Sequence, residues 1–362
     1  MSDELNRLAG EPIAGPVVIV AGGCDRKADV DWARFGELVA FSLEDFAGTL
    51  LSGGTDCGVG RIVGDTIEAS AEKQTGFCWL PAALPTGTRI DERYADRRTA
   101  LPADPDYATS DFTPAEPLRA WMTILASGIK PADVKMIGIN GGRIAGFEYH
   151  FAAAIGANVG IVMDSGRVAD QLSLDRDLPG NQKIRFLPAD RETLRAFVER
   201  PFRSRFTDPQ IRFLADQADA TYHATVQRQT RAAWDKMLAE KPELARAFDK
   251  SNIDQIEHIE IKLARIGLKL IEIDARDQRP LPFEFTAEQV EILAEMEHGR
   301  WVVERTSNGW RPGPADNAKK QRPQLIAWND PKLIEDEKEK DRAAVRGIPT
   351  MLETLGFTIR PA

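Results

Sequence analysis

Three times before residue 145 an apolar run stops at a pair of glycines, and a helical pattern follows. Val17-Val18-Ile19-Val20-Ala21 runs into Gly22-Gly23, and Thr49-Leu50-Leu51-Ser52 runs into Gly53-Gly54. Met136-Ile137-Gly138-Ile139 runs into Asn140-Gly141-Gly142. The second junction continues through Thr55, Cys57, Gly58, Val59 and Gly60 into apolar positions at helical spacing, Ile62, Val63 and Ile67. Short, wholly apolar runs of this kind read as buried parallel strands. Glycines after a strand let backbone N–H groups approach a phosphate at the positive end of the next helix. They serve equally well as crossover turns that need glycine only for shape.

The other strands read from the pattern are Phe77 to Pro81, Ala157 to Val162 and Ile184 to Leu187. The resulting β-α-β-α-β order predicts an α/β domain, a Rossmann-like doubly wound parallel sheet that binds ligands beyond its carboxyl ends. Asp29 or Asp31 can cap a helix whose stripe is Trp32, Phe35, Leu38, Val39, Ser42 and Phe46. Thr86 to Pro114 is polar and carries Asp91-Glu92-Arg93-Tyr94 and Arg97-Arg98; it reads as a flap over the site or as a surface excursion. On a helical wheel after Gly142, Ile144, Phe147, Phe151 and Ile155 form an apolar stripe with Glu148 inside it. A carboxylate there needs compensation. Arg143 or Arg167 would pair it structurally; functionally it would accept ligand hydroxyls or act as a catalytic carboxylate. The polar turn Asp164-Ser165-Gly166-Arg167 follows the next strand.

Composition narrows the function classes. A net charge of −9 over 362 residues argues against coating DNA or RNA. No apolar run approaches the roughly 20 residues of a membrane helix, and the acidic start Met1-Ser2-Asp3-Glu4-Leu5 lacks signal-peptide character. A cytoplasmic location without membrane insertion is expected. Cys24, Cys57 and Cys78 have no metal-ligand spacing and read as reduced thiols; His150, His223, His258 and His298 are too scattered for a metal site.

From Phe202 the chain turns helical and charged. Thr286-Ala287-Glu288-Gln289 is a capping box, opening a helix with the stripe Val290, Leu293, Ala294, Glu297 and Trp301 and with His298 at its edge. Between Arg300 and Pro323, six basic residues face two acidic ones, bordered by Trp301, Trp310 and Trp328. Cations beside aromatic faces suit the phosphates and base of a nucleotide. They also fit a tryptophan core with a solvated basic rim.

Two resemblances sharpen these readings. Val20 to Cys24, Leu51 to Gly60 and Asn140-Gly141-Gly142-Arg143 through Glu148 resemble the SLOG superfamily, over about Pro16 to Pro201. More narrowly, they resemble its LSDAT branch, related to the cytosolic N-terminal domains of melastatin-type TRP channels. The resemblance implies a Rossmann-like fold binding nucleotides or NAD-derived ligands such as ADP-ribose compounds. Its enzyme arm, the cytokinin-activating phosphoribohydrolases, carries P-G-G-x-G-T-x-x-E. Gly141, Gly142 and Glu148 keep that spacing here, while Asn140, Ile144 and Ala145 replace Pro, Gly and Thr, removing a phosphate contact. Glu297-His298-Gly299-Arg300-Trp301, Gly309-Trp310-Arg311-Pro312-Gly313, Pro323 to Trp328 and Glu337 to Arg342 resemble the RyR domain of ryanodine receptors and bacterial proteins. Gln321-Arg322-Pro323 departs from a usual His-Pro pair. That module implies a mainly α-helical fold with ligand-sensing or assembly roles.

The expected organisation is a SLOG domain over 1–201, a helical connector and first part of the RyR module over 202–285, and an RyR core over 286–362. The expected function is sensing a nucleotide-derived ligand (ADP-ribose, NAD-derived or a cyclic nucleotide), relayed through the RyR module in defence or stress signalling. The alternatives are an N-glycosidic hydrolase using Glu148 and Arg143, and an RyR-mediated assembly protein. Candidate ligand residues are Gly22, Gly23, Gly53, Gly54, Thr55, Gly58, Val59, Gly60, Tyr94, Asn140, Gly141, Gly142, Arg143, Glu148, Ser165 and Arg167. A second candidate pocket comprises His298, Trp301, Trp310, Lys320, Trp328 and Arg342. No cofactor beyond the nucleotide or NAD-derived ligand is implied; a homo-oligomer is expected by resemblance.

Overall fold

A computed structural model describes residues 10–24, 30–70, 72–99, 111–174, 183–202, 204–222, 235–236, 239–240, 242–273 and 283–362. The chain divides into two compact units, Met1–Val198 with Arg305–Leu325, and Glu199–Glu304 with Ile326–Ala362.

The first unit is built on seven strands. They are β1 (Val17–Gly22), β2 (Gly48–Leu51), β3 (Gln74–Leu80), β4 (Asp96–Thr99), β5 (Lys135–Ile139), β6 (Asn158–Val162) and β7 (Ile184–Leu187). Their order is β4-β3-β2-β1-β5-β6-β7, and every neighbouring pair is parallel. This is a Rossmann-like doubly wound sheet. Successive strands step outward from β1 in one direction and from β5 in the other, so the strand order reverses between them. Alternation along β1 sends Val17, Ile19 and Ala21 into one core with Trp121, Ile124, Ala145, Tyr149 and Ala152. Trp79 Nε1 donates to Thr123 Oγ1 at 3.1 Å, tying β3 to helix Ala115–Ala126. Of the two capping candidates, Asp29 lies outside the described residues; Asp31 Oδ1 accepts from the Arg34 amide at 3.1 Å and opens helix Trp32–Ser42.

Two sequence readings are corrected here. The polar stretch after Thr86 is not a detached excursion over the described part. Ile90 pairs with Thr55 in a β-bridge, the Asp91 amide donates to Gly54 O at 2.9 Å, and Asp96–Thr99 extends the sheet as edge strand β4. Its sequence Asp-Arg-Arg-Thr has no apolar pattern, because an edge strand with charged side chains needs none. On helix Arg143–Ala154 the buried face is Ala145, Gly146, Tyr149, Ala152 and Ala153, whereas Phe147 is 37% exposed. Small residues let this helix lie close to the sheet, and the bulky stripe stands at its margin, where Phe147 stacks on Phe151 at 5.8 Å.

The first unit also takes in Arg305–Leu325, with the short parallel pair β9 (Arg311–Pro312) and β10 (Gln321–Arg322). This segment lies against β7: Arg185 Nε donates to Ser307 Oγ at 2.8 Å, and the Arg311 guanidinium sits over the Phe186 ring at 4.9 Å.

The second unit is mainly helical, with one antiparallel pair, β8 (Leu268–Glu272) and β11 (Phe357–Pro361). Its core gathers Leu214, Ile256, Ile259, Leu263, Leu352 and Ile359. The capping box is present: Gln289 N donates to Thr286 Oγ1 and Thr286 N to Gln289 Oε1. Inside this unit lies a buried ion cluster. Lys262 Nζ donates to Glu297 Oε2 at 2.5 Å, and Arg300 grips the same carboxylate through Nε and Nη2. Burial opposes the charge on Glu297, but Arg300 and Lys262 outweigh it and hold its pKa down at about 2. Nearby, His258 is buried and stacks on Phe202 at 4.4 Å, with neither ring nitrogen hydrogen-bonded and Glu199 3.8 Å away. Burial pushes it down to about 4, so it is neutral at pH 7. Among the described residues, no helix is long and apolar enough to cross a membrane.

Candidate functional site

The turns after β1 and β5 flank the point where strand order reverses, which is where open α/β sheets form a ligand crevice. The two turns are held together from below. Tyr149 Oη donates to Ala21 O at 3.1 Å, and the Gly23 amide donates to Ile139 O at 3.3 Å.

The glycines of the second junction are mostly consumed by packing inside the protein. Gly58 has φ +51°, and a Cβ there would stand 2.0 Å from Gly23 O and 2.6 Å from Cys24 Cα. The next amide, Val59 N–H, donates to Gly23 O at 3.0 Å. The β1 turn therefore sits on the N-terminus of helix Gly58–Ala69 and takes up one of the donors that a phosphate would use. Gly54 backs onto Cys78, Gly60 onto the Thr55 backbone, and Gly22 onto Ile139 O; only Gly53 faces open space. Thr55 is buried in its bridge to Ile90. Tyr94, expected on a flap over the ligand, is instead fully buried and donates its hydroxyl to Gly60 O at 2.8 Å. That correction follows from the β4 segment closing onto the sheet.

The third junction is different. Helix Arg143–Ala154 begins after Gly142 with no side-chain cap. Arg143 and Arg167 are both exposed, and neither pairs with a carboxylate among the described residues. The Arg167 guanidinium lies beside Gly142, where a Cβ would stand 3.3 Å from Nη2. Two cations without a carboxylate partner at an uncapped helix N-terminus have the charge and the free donors that an anion requires. Behind it, the Asp170 carboxylate accepts from the amides of Ser165 and Gly166, at 3.1 and 2.9 Å, and fixes the turn that carries Arg167. Ser165 faces inward: its Oγ accepts from the Asn140 amide and donates to Val162 O. Ser165 and Asn140 thus join the ends of β5 and β6 beside the switch point.

Glu148, one turn along the same helix, is half-buried and makes no ion pair with Arg143 or Arg167. Burial alone pushes its pKa up to about 7. Near neutral pH it exists in both protonation states, able to accept from hydroxyls or to deliver a proton.

A separate open cavity of about 380 Å³ lies beside the second junction, lined by Asp56, Arg61, Asp65, Arg89, Asp91 and Arg93 among others. Arg93 is committed there to Asp91, Asp65 and Glu68. Sequence reasoning missed this cavity, because residues 89–91 come to the turn through a single long-range bridge.

The six residues expected in a second pocket fall into both compact units. In the second unit, His298, Trp301, Trp328 and Arg342 come together: His298 lies 5.9 Å from Trp301 and 5.6 Å from Trp328, and Arg342 sits 5.7 Å from the Trp328 ring. His298 is buried, with Nε2 2.9 Å from Ile326 O and Nδ1 3.3 Å from Asp341 Oδ2, and Trp328 is 3% exposed. This is a satisfied core rather than an open pocket. Trp310 and Lys320 belong to the first unit. The Arg305 and Arg322 guanidiniums lie 5.9 and 4.5 Å from the centre of the Trp310 ring, and Lys320 Nζ donates to Asn308 O.

No curated protein matches the chain. Among solved structures, the chain is similar to the molybdenum cofactor binding protein from the phototrophic bacterium Rippkaea orientalis and to the structural-genomics target TM1055. Each is 17% identical with a TM-score of 0.32 over 48% of this chain, covering 88% and 90% of those chains. Residues 281–361 match the family model of the RyR domain.

Proposed function

We propose that the Rossmann-like unit binds a phosphate-bearing, nucleotide-derived ligand in the crevice between the β1 and β5 turns. The observation that carries this reading is the pair of unpaired guanidiniums, Arg143 and Arg167, at the uncapped helix N-terminus after Gly141-Gly142. The phosphate sits on that helix end, Gly22 and Gly23 flank the sugar, and Glu148 accepts hydroxyls. The ligand is of the ADP-ribose, NAD-derived or cyclic-nucleotide class. The protein acts as a sensor whose bound state is passed to the RyR module. Part of the stretch matching the RyR domain, Arg305–Leu325, belongs to the same compact unit as the crevice, which supports such a relay.

A second reading has its own support. A half-buried carboxylate with a pKa raised to about 7 suits a general acid, so Glu148 would assist N-glycosidic cleavage with Arg143 steering the phosphate. The two readings separate when the full chain is titrated calorimetrically with AMP, cyclic AMP, NAD and ADP-ribose, and the same mixtures are then resolved by chromatography. Binding with intact ligand supports the sensor. Turnover abolished by Glu148→Gln supports the hydrolase. Failure of all four ligands to bind, or binding unchanged in Arg143→Ala/Arg167→Ala, overturns both.

A further inference from the structure

The carboxamide of Asn140 is only half used. Its backbone N–H donates to Ser165 Oγ and its Nδ2 donates to the Ser165 carbonyl, each at 2.8 Å. The second bond fixes which end of the amide faces Ser165, since a carbonyl oxygen accepts only from the nitrogen. Oδ1 therefore points the other way, and it has no hydrogen-bond partner although the residue is 1% exposed. Asn140 also holds a left-handed φ of 59°, which a glycine would adopt at no cost. Two unfavourable terms thus meet in one side chain at the topological switch point. What Oδ1 faces is Gly23, where a Cβ would stand 2.6 Å from it. A side chain at residue 23 would cover this oxygen, and the edge of the Trp32 ring lies 3.4 Å from the same Cβ position.

We propose that Asn140 Oδ1 is the selectivity contact of the crevice. It accepts a hydrogen bond from an N–H or O–H on the sugar or base of the molecule whose phosphate Arg143 and Arg167 hold. The proposal rests on the nucleotide-binding reading above and goes beyond it by assigning which part of the ligand is read, and by what. The donor reaches Oδ1 on the side bounded by Gly23 and the edge of the Trp32 ring. A ligand that brings it satisfies the orphaned acceptor, whereas one that lacks it leaves a buried oxygen unmet. Arg143 and Arg167 supply affinity without distinguishing nucleotides; Asn140 distinguishes them.

The experiment compares AMP with three analogues, each lacking one donor: 2′-deoxy-AMP, 3′-deoxy-AMP and purine riboside 5′-monophosphate. Affinities for the full-length protein are measured by calorimetry. The expected wild-type result is a loss of about tenfold for one analogue against AMP, with smaller changes for the other two. In Asn140→Gly, which keeps the left-handed backbone and removes the oxygen, that ratio falls to near one while phosphate-dependent binding persists. Asn140→Asp, which keeps an oxygen acceptor, retains the preference for the donor-bearing ligand. Thermal melts of both variants confirm that they are folded. A wild-type protein that binds all four alike, or an Asn140→Gly protein that still discriminates, overturns the proposal and leaves the nucleotide-binding reading standing. Absence of binding to all four by the wild-type protein overturns this proposal together with the reading beneath it.

Discussion

The Tyr149 hydroxyl donates to the Ala21 carbonyl at 3.1 Å, joining the helix after β5 to the carboxyl end of β1. Both residues are buried, and a Cβ on Gly141 would come within 3.0 Å of the same hydroxyl. Tyr149→Phe removes this tie without changing the ring. The expected cost is about 1 kcal/mol, or a fall in Tm of about 2–4 °C, read by calorimetry.

Glu148 gives a pH dependence of defined sign. Its folded pKa lies near 7, above the ordinary 4.5, so between those values the folded protein holds a proton that the unfolded chain has lost. Stability from this group is present below about pH 4.5 and falls as pH rises through 7. Glu148→Gln is expected to stabilise the protein by about 2 kcal/mol at pH 8 and to change little at pH 4. Urea denaturation at the two pH values checks it.

His258 has the opposite sign. Burial against Phe202 lowers its pKa from 6.5 to about 4, with Glu199, Lys262 and Glu297 acting on it as the nearby charges. The unfolded chain takes up a proton near pH 6.5 and the folded protein does not until about pH 4. Stability is therefore lost as pH falls across that window, by up to about 3 kcal/mol. His258→Gln is expected to flatten the stability profile between pH 6.5 and 4, measured by chemical denaturation.

Glu297 sits between two buried cations, Lys262 and Arg300. Glu297→Gln removes the carboxylate that both cations share, and a loss of about 3–5 kcal/mol is expected. Loss of cooperative unfolding of the second unit by circular dichroism checks it; a variant as stable as the parent contradicts the ion-pair account.

Legibility in the sequence followed how local each signal was. Strands β1, β2, β3, β5, β6 and β7 were readable because each carries a short apolar run bounded by turn residues, and the capping box at Thr286 was readable because its partners are three residues apart. Strand β4 was not, because Asp96–Thr99 owes its place to pairing with Phe77–Leu80 and carries no apolar pattern. Within the site, the glycine pairs were evident but their division of labour was not. Whether an amide faces a ligand or a carbonyl depends on Gly23 O lying against Gly58 and Val59, a contact between junctions that no spacing records. The wheel that placed Phe147 inward failed for a related reason: close packing on the sheet favours Ala145, Ala152 and Ala153, which carry little hydrophobic signal. Tyr94 was misplaced because its destination, beneath Gly60, depends on β4.

The path of Arg305–Leu325 bears on how such a chain can be divided or recombined. That segment lies inside the stretch matched as an RyR domain, yet it packs on β7 through Arg311 and Ser307. The polypeptide passes from one unit to the other three times, near residues 198, 304 and 325. No single peptide bond can be cut to release both units whole: a break near residue 280 strips the parallel sheet of its cover at the β7 edge, and one near 326 splits the helical unit. A truncation placed at the linear family boundary therefore removes Arg305–Leu325 from the unit it packs in.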